Sequence, residues 1–147
     1  MATMTAAQRR EKEREAFGAF MEACPMNQLL GVVGKQWSTL ILWELARGPR
    51  RYAEVSRAMP GVSAKMLTQT LRSLERDGFV ARTVTPAVPV QVEYALTPLG
   101  DRIVPLIATM IDWANRHMDD VHDARERYDA TSAKARSNEV PAGASLG

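Results

Sequence analysis

The sequence holds a single cysteine, Cys24, and only two histidines in 147 residues. One cysteine excludes an intrachain disulfide framework. His117 and His122 are five positions apart, on different sides of a helix, and no Cys, His or carboxylate cluster has metal-ligand spacing. A nucleophile, a base and an orienting group cannot be placed together either. We therefore expect no metal, no cofactor and no enzymatic activity.

Long apolar runs are also missing. Segments such as VPLIATMI at 104–111 fall far below the roughly 20 apolar residues that cross a bilayer. The N-terminal segment MATMTAAQRREKEREAF lacks the apolar stretch of a signal peptide. With 46% hydrophobic residues the chain can still build one packed core, so we expect a cytoplasmic protein with no membrane partner.

Charge is distributed unevenly along the chain. Residues 34–100 carry nine basic and five acidic side chains, whereas residues 101–129 carry four basic and seven acidic ones. The middle is therefore basic although the net charge is only +2. A basic segment of this kind favours a polyanionic partner.

Helical patterns precede and follow a turn in the middle of the chain. Residues 5–23 favour helix, Pro25 suits the first position of a second helix, and KQWSTLILWELARG forms a third that we expect to be buried on most sides. RRYAEVSRAMPG predicts a short helix. In GVSAKMLTQTLRSLERDGFV, Ser63 is suited to N-cap a helix that ends before Gly78. Two helices joined by a Gly-containing turn are typical of a helix-turn-helix.

A change of period follows Gly78. FVARTVT and QVEYALT alternate as strands do, and the prolines between them belong to a hairpin tip. Thr97-Pro98 then starts a long helix that we expect to end near residue 128, before a disordered tail. The expected fold is mainly α (α+β), a winged helix-turn-helix whose second helix can enter the major groove of DNA.

The helix after Ser63 has an outward face that can read DNA. Leu67, Leu71 and Leu74 fall together on one side at 100° per residue, and the opposite side carries no acid until Asp77. Gln and Arg can read base edges, while Lys, Ser and Thr can hold phosphate or a base. A solvated amphipathic helix is the alternative. The candidates on this helix are Ser63, Lys65, Met66, Thr68, Gln69, Arg72 and Arg76.

Four further candidates lie outside that helix. Arg50 and Arg51 precede the short helix and either clamp phosphates or belong to a solvated loop. Arg82 and Gln91, on the hairpin, can reach backbone or minor groove. Because Arg82 shares a strand face with Val80 and Val84, it can instead fold over the edge of the core.

Residues 24–113 resemble the HxlR family of bacterial winged-helix regulators, relatives of the MarR type. The resemblance rests on a Cys-Pro opening, a Trp-containing helix, GPRRY, PGVSAKMLTQTLRSLERDGFV, VEYALTPLG and Trp113. Two positions depart from the family pattern: Gln36 stands where the family has lysine, and Gln91 stands where the family often has a basic residue.

The resemblance implies a homodimer on a pseudo-palindromic double-stranded DNA site. Residues 24–97 would form the DNA-binding core, with dimerisation helices at 1–23 and 98–128 and the tail at 129–147. Independently, the long helix has more apolar stripe than a small winged core can cover, and exposed patches are a liability. A two-fold dimer sets its two reading helices about one DNA turn apart.

Cys24 lies at a predicted helix start, where free N–H groups stabilise a thiolate. The resemblance implies a possible sensor, since some family members respond to oxidants, quinones or aldehydes through this cysteine. The alternative is an inert packing residue. The expected function is a DNA-binding repressor of a nearby gene, and a response to an oxidant or electrophile through Cys24 stays open beside it. A protein–protein interaction module, or a ligand-responsive regulator without a cysteine switch, stays open.

Overall fold

The computed structural model describes residues 2–139. These residues form a mainly helical fold with one small antiparallel sheet. The helices are α1 (Ala6–Ala23), α2 (Pro25–Val33), α3 (Gln36–Leu45), α4 (Tyr52–Ala58), α5 (Ala64–Arg76) and α6 (Pro98–Asn138), and the strands are β1 (Arg50–Arg51), β2 (Val80–Thr85) and β3 (Gln91–Leu96). No helix in this part of the chain is long and apolar enough to cross a membrane.

The chain divides into two compact units, one ending at Ile107 and the other beginning at Ala108. The core of the first unit is aliphatic and draws on α3, α4, α5, β2 and the start of α6. Its most buried side chains are Ile41, Leu42, Leu45, Val55, Met59, Leu67, Leu71, Leu74, Val80, Ile103 and Ile107. The expectation that α3 is buried on most sides is wrong in part, because Leu40 and Trp43 remain 42% and 36% exposed.

Helix α5 begins and ends where the sequence predicts. The Ser63 hydroxyl accepts the Met66 N–H at 3.1 Å and caps the first turn. At the other end the N–H of Phe79 reaches the Leu74 carbonyl and the N–H of Gly78 reaches that of Glu75, which is a Schellman motif. Gly78 has a φ of +83°, a conformation that glycine adopts without steric cost.

The sheet has the order β1-β3-β2 and is antiparallel throughout. The hairpin of β2 and β3 was predicted, and its prolines lie between the strands as expected. Strand β1 was not predicted, because two residues carry no period. It pairs Arg50 with Tyr94 and Arg51 with Glu93, and so ties the start of α4 to the wing.

Helix α6 runs further than the sequence suggested. The prediction of a disordered tail from residue 129 is wrong for residues 129–138, which continue the helix to Asn138. Extension of a helix already nucleated needs no new nucleus, and Ala, Lys and Arg in ATSAKAR favour it. The rest of the predicted tail, from residue 140, lies outside the described residues.

The start of α6 is hydrogen-bonded to the turn that follows α5. Thr97 caps α6 by accepting the Gly100 N–H at 3.1 Å, and its own hydroxyl donates to the Gly78 carbonyl. The Thr97 N–H donates to the carbonyl of Phe79 at 3.0 Å. Gly100 lies so close that an added Cβ would overlap that same carbonyl oxygen. Only a residue without a side chain permits this approach.

We predict that Gly100→Ala destabilises the protein by about 1–3 kcal/mol, because the methyl group forces α6 away from Phe79. Urea unfolding at fixed protein concentration measures the change. Gly18→Ala is the matched control, since a Cβ there meets nothing within 4 Å. In the α1 interior this control should be stabilising, by up to ~1 kcal/mol. A neutral or stabilising Gly100→Ala would contradict the close packing.

Candidate nucleic-acid interface

Helix α5 presents the polar face that the sequence predicts. Leu67, Leu71 and Leu74 are no more than 1% exposed and hold its inner side. Thr70 is also buried, and its hydroxyl donates to the Met66 carbonyl at 2.7 Å, so it leaves no unpaired polar group. The outer side carries Lys65, Met66, Gln69, Arg72, Ser73 and Arg76, all exposed.

A groove of about 280 Å³ separates α5 from the sheet. On the helix side it is bordered by Thr68, Arg72 and Glu75. Arg82 borders it from β2, together with two residues that are not among the predicted candidates, Tyr52 and Tyr94. The structure thus brings three predicted residues, Thr68, Arg72 and Arg82, around one concave surface.

The tyrosine at the start of α4 contacts helix α5 directly. The Tyr52 hydroxyl donates to the Ala64 carbonyl at 3.3 Å and lies 3.5 Å from the Thr68 hydroxyl. Sequence reasoning missed Tyr52 because its apolar ring fits the stripe with Val55 and Met59. Tyr94 was missed for the same reason, as one of the alternating residues of a strand.

A second hollow, of about 240 Å³, lies on the other side of α5. Lys35 and Ser38 border it from the start of α3, and Met66, Gln69 and Ser73 border it from α5. Lys35 was not a predicted contact. Its position one residue before Gln36, where the family has lysine, was the available signal, and the fold brings it beside Gln69.

The remaining wing candidates lie on the opposite face of the sheet. Arg82 pairs with Tyr94 across β2 and β3, whereas Arg51 pairs with Glu93, one residue along β3. Successive strand residues point to opposite faces. Arg51 therefore shares its face with Gln91, and its guanidinium donates to the Gln91 Oε1 at 3.0 Å. Within the described residues Arg51 forms no salt bridge.

Arg50 differs from Arg51 in its surroundings. Its side chain is only 26% exposed, its Nε lies 3.7 Å from the Glu44 carboxylate, and its Nη1 donates to the Pro49 carbonyl at 3.0 Å. The guanidinium is thus turned back toward α3. The structure gives Arg50 intramolecular partners, whereas the sequence left a phosphate clamp and a solvated loop as alternatives.

Cys24 lies at the junction of α1 and α2, half-buried, as the N-cap of α2. The chain turns there on side-chain hydrogen bonds, because Asn27 and Gln28 donate to the last carbonyls of α1, at Met21 and Glu22. Among residues 2–139 no cluster of three or more His, Cys, Asp or Glu could hold a metal ion.

These elements define the class of the protein. Helices α4 and α5 are joined by a turn, α5 presents a basic outer face, and a β-hairpin with a third short strand lies beside it. This is the winged helix-turn-helix of DNA-binding transcriptional regulators.

Comparison with known proteins identifies the family. The model for HxlR-like helix-turn-helix proteins matches residues 32–122, more than half of the chain, so the chain belongs to the HxlR family. The HTH-type transcriptional regulator YtfH of Escherichia coli (strain K12) is 41% identical over 107 residues, which cover 73% of this chain and 85% of the relative. This protein is accordingly a helix-turn-helix transcriptional regulator.

Solved structures agree with this assignment. The ytfH transcriptional regulator of Salmonella typhimurium has a TM-score of 0.65 and 43% identity, over 73% of this chain and 96% of that chain. The redox regulator HypR in its oxidized form has a TM-score of 0.61 and 36% identity, over 64% and 97% of the two chains. The winged-helix fold predicted from the sequence is thereby confirmed.

We predict that substitution of Arg51 affects DNA binding, whereas substitution of Arg50 affects folding stability. Arg51→Gln should weaken binding to any duplex and reduce the slope of log affinity against log salt by about one, as loss of one phosphate contact does. Arg50→Gln should leave that slope unchanged and instead cost up to about 1 kcal/mol of folding stability through the Glu44 pair. Equal salt slopes in the two variants would contradict the assignment.

Proposed function

We propose that this regulator is a homodimeric repressor of a nearby gene, and that α5 reads a pseudo-palindromic operator. The observation that carries the proposal is the outer face of α5. Lys65, Gln69 and Arg72 lie in line on this face and are exposed. Lys35 lies on one side of them, and the wing with Arg82 lies on the other. A solvated helix needs no such convergence of cations from three separate elements.

The proposed contacts divide into base reading and backbone binding. Gln69 is central on the outer face, and glutamine can bond both the N6 and N7 of adenine. The wall of the DNA major groove is contacted by four residues near the start of α5: Ser63, Lys65, Met66 and Thr68. Arg72 and Arg82 face the gap between helix and wing. Arg51 and Gln91, on the far face of the wing, and Arg76 contact phosphates, while Arg50 supports the loop.

The dimer proposal rests on apolar faces that each unit leaves uncovered. In the first unit, α1 has no buried residue, and Phe17 and Phe20 are 63% and 66% exposed. In the second unit, Trp113 and Tyr128 are 55% and 73% exposed. Large exposed aromatic faces mark interaction sites. A two-fold partner would cover them and give the DNA site its two halves.

Repression follows from simple occupancy, because a dimer bound to a promoter blocks polymerase without any further contact.

We propose Cys24 as the switch, responding to an oxidant or electrophile. Support comes from its place at the start of α2 and from the similarity to HypR, described as a redox regulator. With a single cysteine, the response would be an adduct or a disulfide between subunits.

Two alternative functions are separated from this proposal by experiment. The half-burial of Cys24 fits a packing residue, which would make the protein a regulator controlled by a ligand without a cysteine switch. The winged surface could also dock an acidic protein instead of DNA. Binding to DNA is measured against salt concentration and against duplex sequence. A DNA reader prefers one duplex sequence and loses affinity as salt rises, whereas a protein-docking surface has no preferred DNA sequence.

We predict that the protein protects two half-sites upstream of its own gene, about 34 Å apart centre to centre. Gln69→Ala should weaken binding to that site about 5- to 100-fold, while binding to an arbitrary duplex changes little, because a base contact is lost and no phosphate contact. Footprinting and titration against both duplexes measure these effects.

Ser137→Ala provides the control, since its hydroxyl donates within α6 to the Lys134 carbonyl. It should bind both duplexes like the parent. Absence of any upstream binding at low salt would contradict the DNA-reading proposal. A single protected half-site together with a monomer in sedimentation would contradict the dimer alone.

We predict that diamide or a quinone lowers operator affinity of the parent and leaves Cys24→Ser unaffected. The substitution removes the only thiol and keeps a similar volume at the α2 N-cap. Titrations with and without oxidant measure the difference, and mass spectrometry identifies the adduct. An equal oxidant response in both proteins would rule out a role for Cys24.

A further inference from the structure

We propose that the groove between α5 and the sheet is a binding site for one phosphate group, supplied by the DNA backbone. This inference rests on the proposed DNA-reading function and assigns a specific task to a surface within it. It also makes Tyr52, Tyr94 and Glu75 functional residues.

The groove has two cations that form no salt bridge within the described residues. Arg72 comes from α5 and Arg82 from β2, so the two guanidinium groups approach from different elements. Among residues 2–139, neither has a carboxylate oxygen within 4.0 Å; the salt bridges of this part of the chain involve other arginines. Guanidinium groups present paired N–H donors that match the oxygens of phosphate.

The Tyr94 hydroxyl supplies a further donor. Tyr94 is half-buried on the central strand, directly opposite Arg82, and its hydroxyl makes no hydrogen bond within the described residues. Thr68 lies on the facing side of α5. Because the Tyr52 hydroxyl donates its proton to the Ala64 carbonyl, its hydrogen bond with Thr68 uses the Thr68 proton, and Thr68 then borders the groove without supplying a donor to it. Tyr52 is therefore a positioning residue, which holds the first turn of α5 and the Thr68 hydroxyl at the edge of the groove.

The position of the groove explains why a backbone phosphate is the expected occupant. A recognition helix lies in the major groove, and a wing reaches toward the neighbouring minor groove. One sugar-phosphate strand separates these two grooves and must pass between helix and wing. The concave surface with Arg72 and Arg82 lies in that gap, whereas Gln69 borders the hollow on the other side of α5.

Glu75 is the one acid at the groove, and it gives the inference a variant of opposite sign. Its carboxylate lies on the same helix face as Arg72, three residues further on, and opposes an incoming anion. Removing that charge while keeping the shape should strengthen phosphate binding. A residue with a merely structural role would not produce a gain.

The test combines protein variants with DNA in which single phosphates are replaced by neutral methylphosphonates. Within a footprinted half-site, one position should reduce parent affinity about 10- to 100-fold, as loss of a charged hydrogen-bonded contact does. Arg72→Gln and Arg82→Gln should lose a similar factor on unmodified DNA. On the modified duplex they should lose little more, because the phosphate that they contact is already neutral.

Matched variants distinguish a specific phosphate contact in the groove from a nonspecific effect of positive charge on DNA affinity. Arg76→Gln, exposed on the same helix outside the groove, should lose affinity additively with the methylphosphonate at the groove position. Glu75→Gln should gain several-fold on unmodified DNA and gain nothing on the modified duplex. Tyr94→Phe, which keeps the ring, should show the same loss of coupling as Arg82→Gln. Circular dichroism checks that each variant folds.

Two sources of phosphate are separated by a competition arm. Inorganic phosphate replaces chloride at constant ionic strength; displacement of DNA from the parent but not from Arg82→Gln is the expected result, because free phosphate then competes with a DNA phosphate for the groove. Binding of inorganic phosphate in the groove with no loss of DNA affinity would overturn the DNA backbone as source. Additive losses at every position overturn the groove itself while DNA reading stands. Absence of DNA binding by the parent would instead contradict the proposed function.

Discussion

The rotation of α5 about its own axis is the constraint on which the surface of this protein depends. Leu67, Leu71 and Leu74 are almost fully buried and set that rotation. Each buried leucine contributes about 1.5–3 kcal/mol relative to an exposed one, so turning the helix would cost a large share of a typical domain stability of about 5–15 kcal/mol. The outward direction of Lys65 and Gln69 follows from leucines that point the other way.

Both ends of α5 are held by hydrogen bonds to backbone groups rather than by charge. Ser63 caps the start, and the Schellman motif around Gly78 ends the helix and directs the chain into β2. The same few residues then receive α6, because Thr97 and Gly100 lie against Gly78 and Phe79. The reading helix, the wing and the long helix are therefore joined at one compact corner. Displacement of α6 at this corner would be transmitted to the end of α5.

The wing divides its basic residues between its two faces. Arg82 and Tyr94 face α5, and Arg51 and Gln91 face away. This division follows from strand alternation, and it places polar and basic side chains on both faces of the three-stranded sheet. Arg50 lies next to Arg51 in sequence but is engaged by Glu44. Adjacent arginines of identical chemistry thus have different surroundings because the chain alternates.

The sequence by itself determined what depends on local periodicity: the helices, the hairpin, the caps at Ser63 and Thr97, and the polar face of α5. These features follow from neighbours three or four residues apart, or two apart in strands, and so are visible in one dimension. The end of α6 was missed because a segment rich in Ala, Ser, Gly and Pro without periodicity suggested a tail, although helix already formed upstream extends at little cost. Only the tertiary structure decided which distant residues meet. The β1 pairing, the partner of Arg50 and the position of Tyr52 and Tyr94 beside Arg72 and Arg82 join segments far apart in the chain, and no local pattern records such contacts.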